Sequence, residues 1–97
     1  MKNFRTYDLA VRFYKEAQSI KVPPFLRDQL NRASSSIVLN LAEGRGRRTT
    51  KDQVRFFHIA LGSIRECEAI IALATTPAST SINPLATHCV RLIQNAR

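Results

Sequence analysis

Residues 40–51 read NLAEGRGRRTTK and separate two long helical patterns. Gly44 and Gly46 supply the backbone freedom that a helix C-terminus favours, so we expect the helix before them to end near Glu43. The segment TKDQ that follows matches the capping-box pattern, which predicts that the next helix begins with Thr50 as its N-cap. The stretch therefore predicts a turn between two helices, and its unusual feature is the number of arginines beside the glycines.

Apolar residues recur at spacings of three and four along most of the chain. This periodicity predicts helices over about residues 7–21, 24–43, 50–74 and 84–96, with no strand pattern and no internal repeat. Ninety-seven residues are enough for one hydrophobic core and too few for two. We therefore expect residues 1–97 to form a single all-α domain.

The third predicted helix is apolar on two adjacent faces. One face carries Val54, Phe57, Leu61, Ile64 and Ile71, and the other carries Phe56, Ala60, Cys67, Ile70 and Ala74. At ~1.5 Å per residue the fourth helix spans roughly 21 Å and the third roughly 39 Å, so the fourth helix cannot cover the third. A second subunit is the simplest cover, and the pattern therefore predicts a homo-oligomer.

Fifteen Lys and Arg residues against seven Asp and Glu residues give the chain a formal net charge of +8. An excess of this size favours a polyanionic partner, with nucleic acid ahead of an anionic membrane surface. The alternative that the basic charge serves no partner stays open. No stretch approaches ~18 consecutive apolar residues and no signal-peptide pattern is present, so we expect a cytoplasmic protein without a membrane span.

The sequence offers little material for a catalytic or metal site. Cys67 and Cys89 form neither a CxxC motif nor a pair with histidine at metal-ligand spacing. His58 and Glu66 could share a helix face, but they lie two helical turns apart. The glycines at residues 44–46 are not part of a Walker A pattern. We therefore expect no enzymatic activity, no cofactor and no metal.

Two blocks of the sequence, NLAEGRGR at residues 40–47 and FFHIALGSIRE at residues 56–66, resemble the 23S rRNA intervening-sequence proteins. The resemblance covers about residues 6–74, and the accessory protein of diversity-generating retroelements is similar to the same family. It implies an antiparallel up-down four-helix bundle that assembles as a ring-shaped homopentamer and has no known enzymatic activity. For the retroelement relatives it implies binding of nucleic acid and of a reverse transcriptase through a basic surface, and a ribosomal component is the other candidate partner. The family usually ends in a longer fourth helix than the one predicted here.

Five cations surround the turn, namely Arg45, Arg47, Arg48, Lys51 and Arg55. Arginine suits phosphate because its planar guanidinium can donate two parallel hydrogen bonds, and a helix N-terminus nearby adds a partial positive charge. We therefore predict that these side chains bind the phosphates of RNA or DNA. Because Phe56 and Phe57 belong to the predicted core, base-specific recognition is not expected.

The remaining candidate residues have structural roles. Glu43 stands at the end of a helix, which is a poor site for an acid, so we expect it to hold Arg45 or an arginine of a neighbouring subunit. Gly62 lies in the middle of a helix beside Ser63, where it costs about 1 kcal/mol relative to alanine. Close packing against another helix would offset that cost, and we predict such packing at this pair.

These observations lead to one functional prediction and one rival. The prediction is a non-enzymatic, basic, oligomeric protein that binds nucleic acid through its phosphates and largely without regard to sequence. The rival is an oligomeric adaptor that docks on another protein and has no direct role at nucleic acid. Only the first of the two requires the arginines of the turn.

Overall fold

The computed structural model describes residues 4–74 and 81–96, and this part of the chain forms four helices. They are α1 (Arg5–Ala17), α2 (Pro24–Arg45), α3 (Thr50–Leu73) and α4 (Ile82–Ala96). The prediction of an all-helical chain with four helices is confirmed, and the described residues contain no strand. The two ends of the predicted domain, at residues 1 and 97, lie outside the described residues.

The helices enclose one hydrophobic core. Helix α2 packs against α1 and α3, while α4 packs against the same two helices, so that each helix has two helical neighbours. The largest fully buried side chains are Phe13, Leu30, Ile37, Leu41, Ile64, Leu85, Cys67 and Cys89. None of the helices in the described ranges combines the length and the apolar character needed to cross a bilayer.

Both cysteines are free thiols buried in this core. Burial, together with the nearby carboxylates of Glu66 and Glu68, raises the pKa of Cys67 to about 12. Burial likewise raises the pKa of Cys89 to about 11. Since the thiolate is the reactive form of cysteine, both residues behave here as small apolar side chains.

Helix α1 ends at Ala17, four residues before the end that the sequence predicts. The amides of the next three residues each donate to a carbonyl three positions back, for example Ser19 to Glu16 at 3.0 Å, which tightens the chain out of the α-helix. The guanidinium of Arg27 then donates to the carbonyls of Ala17, at 3.0 Å, and of Ile20. An arginine from α2 therefore satisfies the helix end, a contact that local sequence does not reveal.

Helix α4 begins at Ile82, two residues before the predicted start at Pro84. The amide of Ser81 donates to the carboxylate of Glu16 at 2.9 Å, and its hydroxyl donates to the same oxygen at 2.5 Å. The amide of Leu85 donates to the carbonyl of Ser81 at 3.0 Å, which closes the first turn of the helix. A side chain of α1 thus fixes the point at which α4 starts.

Small polar side chains line the contact between α2 and α3. The hydroxyls of Ser36 and Ser63 lie 3.0 Å apart. The side-chain amide of Asn40 donates to the backbone carbonyl of Ser36 at 2.8 Å and to the Ser36 hydroxyl at 3.0 Å. Because these side chains are short and satisfy one another, the two helices can approach closely without leaving buried polar atoms unpaired.

Gly44 lies inside α2 and is buried, in place of the exposed turn position predicted for it. A Cβ atom at this position would lie 2.7 Å from Cε1 and 2.9 Å from Cδ1 of Phe57, and 3.0 Å from Cβ of Phe56. These distances are shorter than van der Waals contact, so any side chain would force the helices apart. Glycine is present here because the backbone of α2 rests on the Phe57 ring.

Gly62 has the opposite environment. The structure places no atom within 4 Å of a Cβ built at this residue, and Gly62 is exposed on α3. Within one chain, the close helix contact predicted for the Gly62–Ser63 pair is made by Ser63, and a contact of Gly62 with a neighbouring subunit stays a prediction. Sequence periodicity alone could not distinguish the packed glycine at residue 44 from the open one at residue 62.

We expect Gly44→Ala to lower the free energy of unfolding by about 1–3 kcal/mol, the usual cost of overpacking a core. The Phe57 ring cannot move aside easily because Phe57 is only 3% exposed. The matched control is Gly46→Ala in the same turn, where the new Cβ would meet its nearest atoms at 3.7 and 3.9 Å. Urea unfolding of the two variants measures the difference, and equal stability would contradict the packing argument.

Candidate nucleic-acid interface

The turn between α2 and α3 is closed by backbone hydrogen bonds. The backbone amide of Gly46 donates to the carbonyls of Ala42 and Glu43 at 3.3 and 3.2 Å. The backbone amide of Arg47 donates to the carbonyl of Gly44 at 3.1 Å. Gly46 caps α2 with φ −83°, an ordinary right-handed conformation. The helix therefore runs two residues beyond its predicted end, and neither its bonding nor its cap requires the special freedom of glycine.

Thr49, and not Thr50, is the N-cap of α3. Its hydroxyl accepts a hydrogen bond from the amide of Asp52 at 3.1 Å, and its carbonyl accepts one from the amide of Gln53 at 3.0 Å. The side chain of Gln53 donates to the carbonyl of Arg47 at 3.0 Å. The N-cap thus lies one residue before the predicted position. Gln53 bonds to the backbone of the turn and does not complete a capping box.

Glu43 pairs with Arg47, which corrects the predicted pairing with Arg45. The carboxylate lies 2.8 Å from a guanidinium nitrogen of Arg47, one helical turn further along the chain. Arg45 instead lies over the ring of Phe4, with its guanidinium carbon 5.0 Å from the ring centroid. Because Phe4 is almost completely buried, Arg45 covers an otherwise exposed edge of the core.

Phe56 belongs to the turn and not to the core. It is only half-buried, whereas its neighbour Phe57 is 3% exposed. The guanidinium carbons of Arg47 and Arg55 lie over the Phe56 ring, 4.7 and 4.6 Å from its centroid. Arg55 also has an ion pair with Asp52, at 3.7 Å. The prediction that both phenylalanines are core residues is therefore wrong for Phe56.

The carboxylates of Glu66, which the sequence places on a helix face with His58, and of Glu68 have cationic partners. Glu66 lies 2.6 Å from a guanidinium nitrogen of Arg32, and Glu68 lies 2.9 Å from one of Arg65. His58 is exposed on α3 and has an interaction of its own. Within residues 4–74 and 81–96, no three His, Cys, Asp or Glu residues are grouped so that they could hold a metal.

The chain matches the family model described as 23S rRNA-intervening sequence protein over residues 4–92. It belongs to that family. The match includes both sequence blocks around the turn and continues through Leu92, so it also takes in most of α4. No curated protein and no solved structure matches the chain.

In this 23S rRNA-intervening sequence family protein, the predicted cations are brought together at one end of the α2–α3 hairpin. Residues 43–55 contain five cations and two carboxylates, which leaves a net charge of +3. Arg48 and Lys51 are exposed, and neither forms an ion pair with another described residue. Arg47 and Arg55 each contact both a carboxylate and the Phe56 ring, and Arg47 is the more constrained of the two because its ion pair is shorter, 2.8 against 3.7 Å.

Arg47 also contains a polar atom without a partner. Its Nε is buried, and no hydrogen-bond acceptor lies within reach of it in the described structure. The side chain borders a shallow depression that Leu39, Ala42, Glu43 and Gly46 also line. Because this N–H has almost no contact with solvent, an anionic group in the depression can reach it only if the Arg47 side chain moves.

We expect Thr49→Ala to destabilise the protein by about 1 kcal/mol, because the amide of Asp52 loses its acceptor. Thr50→Ala is the matched control and should change the free energy of unfolding by less than about 0.5 kcal/mol, since Thr50 is an exposed residue of the first turn. Thermal or urea unfolding separates the two variants. A larger loss for Thr50→Ala would restore the cap that the sequence predicts.

Proposed function

We propose that this protein is a non-enzymatic nucleic-acid-binding protein that contacts phosphates through the turn between α2 and α3. The observation that carries the proposal is the net charge of +3 over residues 43–55, with two exposed cations that have no ion pair among the described residues. Unpaired surface cations are the side chains that can exchange water for phosphate at least cost. The partner is RNA or DNA, bound largely without sequence preference.

The local backbone supports the same proposal. The turn stands at the N-terminus of a helix of 24 residues, where the amide groups carry a partial positive charge. Asp52 lies in the first turn of this helix and offsets part of that charge. The five cations still outnumber the two carboxylates, so the field at the turn attracts polyanions.

The five cations contribute unequally in this proposal. Arg48 and Lys51 are available without rearrangement, because they are exposed at the tip of the turn. Arg45 and Arg55 lie against aromatic rings and keep their outward edges for phosphate. Arg47 must share its guanidinium with Glu43, so we expect its contribution to affinity to be the smallest of the three turn arginines.

We further propose that the subunits, arranged as antiparallel bundles, assemble into a ring-shaped homopentamer. Among residues 4–74 and 81–96, four large apolar side chains are exposed, namely Phe25, Leu39, Ile59 and Leu73. Leu39 also borders an apolar groove with Val11, Tyr14 and Val38 on the surface of α1 and α2. Apolar surface of this kind is typical of faces that contact another subunit. Repeating the basic turn around a ring would let weak phosphate contacts act together.

The setting of the proposal is the cytoplasm, with a reverse transcriptase or a ribosomal component as a further candidate partner. Neither protein partner is needed for the phosphate contacts described above. An oligomeric adaptor without a nucleic-acid role is the alternative, and it makes no use of the turn arginines. Binding experiments on the turn therefore decide between the two.

Changing Arg45, Arg47 and Arg48 to glutamine together should weaken binding to single-stranded RNA and to duplex DNA. Each lost phosphate contact should reduce the slope of log affinity against log salt by about 0.7 on single strands and 0.9 on duplex DNA. Fluorescence anisotropy across a salt series measures the slope. Circular dichroism should show the same helical content as the parent, because the substituted side chains lie at the surface.

The matched control removes three exposed charges from α1 and the segment that follows it, by changing Arg12, Lys15 and Lys21 to glutamine. It lowers the net charge by the same amount but leaves the turn intact, so it should affect affinity and slope less than the turn variant. Equal effects of the two triple variants would mean that only net charge matters. A turn variant that binds as tightly as the parent would favour the adaptor.

Light scattering near physiological salt should give a mass several times the 10.9 kDa of one chain. Gly62→Leu tests a contact between copies directly, because none of the other described helices comes within 4 Å of a Cβ at this residue. We expect this variant to dissociate the assembly if Gly62 faces a neighbouring subunit. Ala69→Leu, at another exposed position of α3, is the control for added apolar bulk. A parent protein that is a monomer at micromolar concentration would contradict the ring.

A further inference from the structure

We propose that the two guanidinium groups held over Phe56 form a stacking platform for unpaired bases, so that the protein prefers single-stranded nucleic acid to a duplex. The inference rests on the proposed function, because it identifies the form of nucleic acid that the turn binds. It assigns a role to Arg47, Arg55 and Phe56 that charge alone does not explain.

The first step is the geometry of the platform. The guanidinium carbons of Arg47 and Arg55 lie 4.7 and 4.6 Å from the centroid of one ring. Two cations gathered at one ring repel each other, yet the ring attracts both, since its faces are electron-rich. This arrangement concentrates positive charge and keeps two planar groups at the same place on the surface.

Each guanidinium is held by a carboxylate as well as by the ring. Arg47 is tied to the carboxylate of Glu43 at 2.8 Å, and Arg55 to that of Asp52 at 3.7 Å. A ring on one side and a carboxylate at the edge restrict the motion of a long side chain, so less conformational entropy is lost when a ligand binds. The side chains of Arg47 and Arg55 remain 40% and 60% exposed, which leaves surface for a ligand to cover.

Only some ligands can stack on the planar guanidinium groups of Arg47 and Arg55. Bases of single strands stack on aromatic side chains and on arginine planes, whereas the bases of a duplex are already stacked and paired inside it. The other phenylalanines at this end cannot serve, because Phe4 and Phe57 are each only 3% exposed. The arginine planes are thus the flat surfaces that an unpaired base can reach here, and a duplex can offer them only its phosphates.

The experiment separates the planar surface from the charge. Arg55→Lys keeps the positive charge of the side chain but removes its plane, because an ammonium group is a compact point charge. The probes are an alternating adenosine–cytidine RNA of about 12 nucleotides, an abasic strand of the same length, and the duplex of the RNA with its complement. Affinity for each is measured by fluorescence anisotropy at one salt concentration, and the salt slope is measured for the RNA.

We expect the parent protein to bind the base-bearing strand about tenfold more tightly than the abasic strand and more tightly than the duplex. Arg55→Lys should lower the affinity for the base-bearing strand much more than the affinities for the duplex and the abasic strand, so that most of the preference is lost, while the salt slope stays close to the parent value because the charge is kept. Phe56→Leu should have the same effect, because it releases both planes while preserving an apolar side chain. Arg12→Lys, on the exposed face of α1, is the matched control and should leave the preference unchanged.

Equal binding of the base-bearing and abasic strands by the parent would overturn the platform while leaving phosphate binding intact. A uniform loss of affinity for all three probes in Arg55→Lys would also overturn it, since the effect would then lie in the charge contacts. Circular dichroism of Phe56→Leu checks that the variant is folded, and Arg55→Lys decides the matter if it is not. Failure of the parent to bind any of the probes would contradict the proposed function itself.

Discussion

The contact between Gly44 and the ring of Phe57 is the constraint on which the end of the molecule with the basic turn depends. Because the glycine has no side chain, the last turn of α2 can lie directly on the first turns of α3. That approach leaves Phe56 at the surface beside the turn, where the guanidinium groups of Arg47 and Arg55 reach its ring. One absent methyl group therefore determines both the packing of two helices and the arrangement of the charges above them.

Much of the fold follows from periodicity, because burial of one helix face imposes spacings of three and four on the sequence. The four helices were predictable for that reason, and so was the start of α2 at Pro24. The helix ends that differ from the prediction are those set by residues distant in the sequence. The carbonyl of Ala17 is satisfied by Arg27, and the start of α4 is set by Glu16, neither of which a local pattern can indicate. Family membership is likewise confirmed, over a longer stretch than the sequence blocks alone suggested.

The candidate site was predictable in composition and not in arrangement. The sequence shows that five cations lie near one turn, but it cannot show that Glu43 selects Arg47 over Arg45. It also cannot show which of Phe56 and Phe57 is buried, since both belong to apolar faces of α3 in the sequence pattern. The cue that was available is the group of arginines that precedes Phe56, with Arg55 directly beside it, because an aromatic ring among cations favours cation–π contacts over burial.

The carboxylate of Glu16 binds Ser81, and the two residues are 65 positions apart in the chain. A contact of such sequence separation forms late in folding, because a long loop must close before it yields any stabilisation. Helix α4 also reaches the end of the bundle that carries the basic turn, where the thiol of Cys89 donates to the carbonyl of Phe57 at 3.7 Å. During translation the first three helices leave the ribosome well before the fourth. The growing polypeptide therefore lacks the support of α4 beneath its basic turn until residues 82–96 have been synthesised.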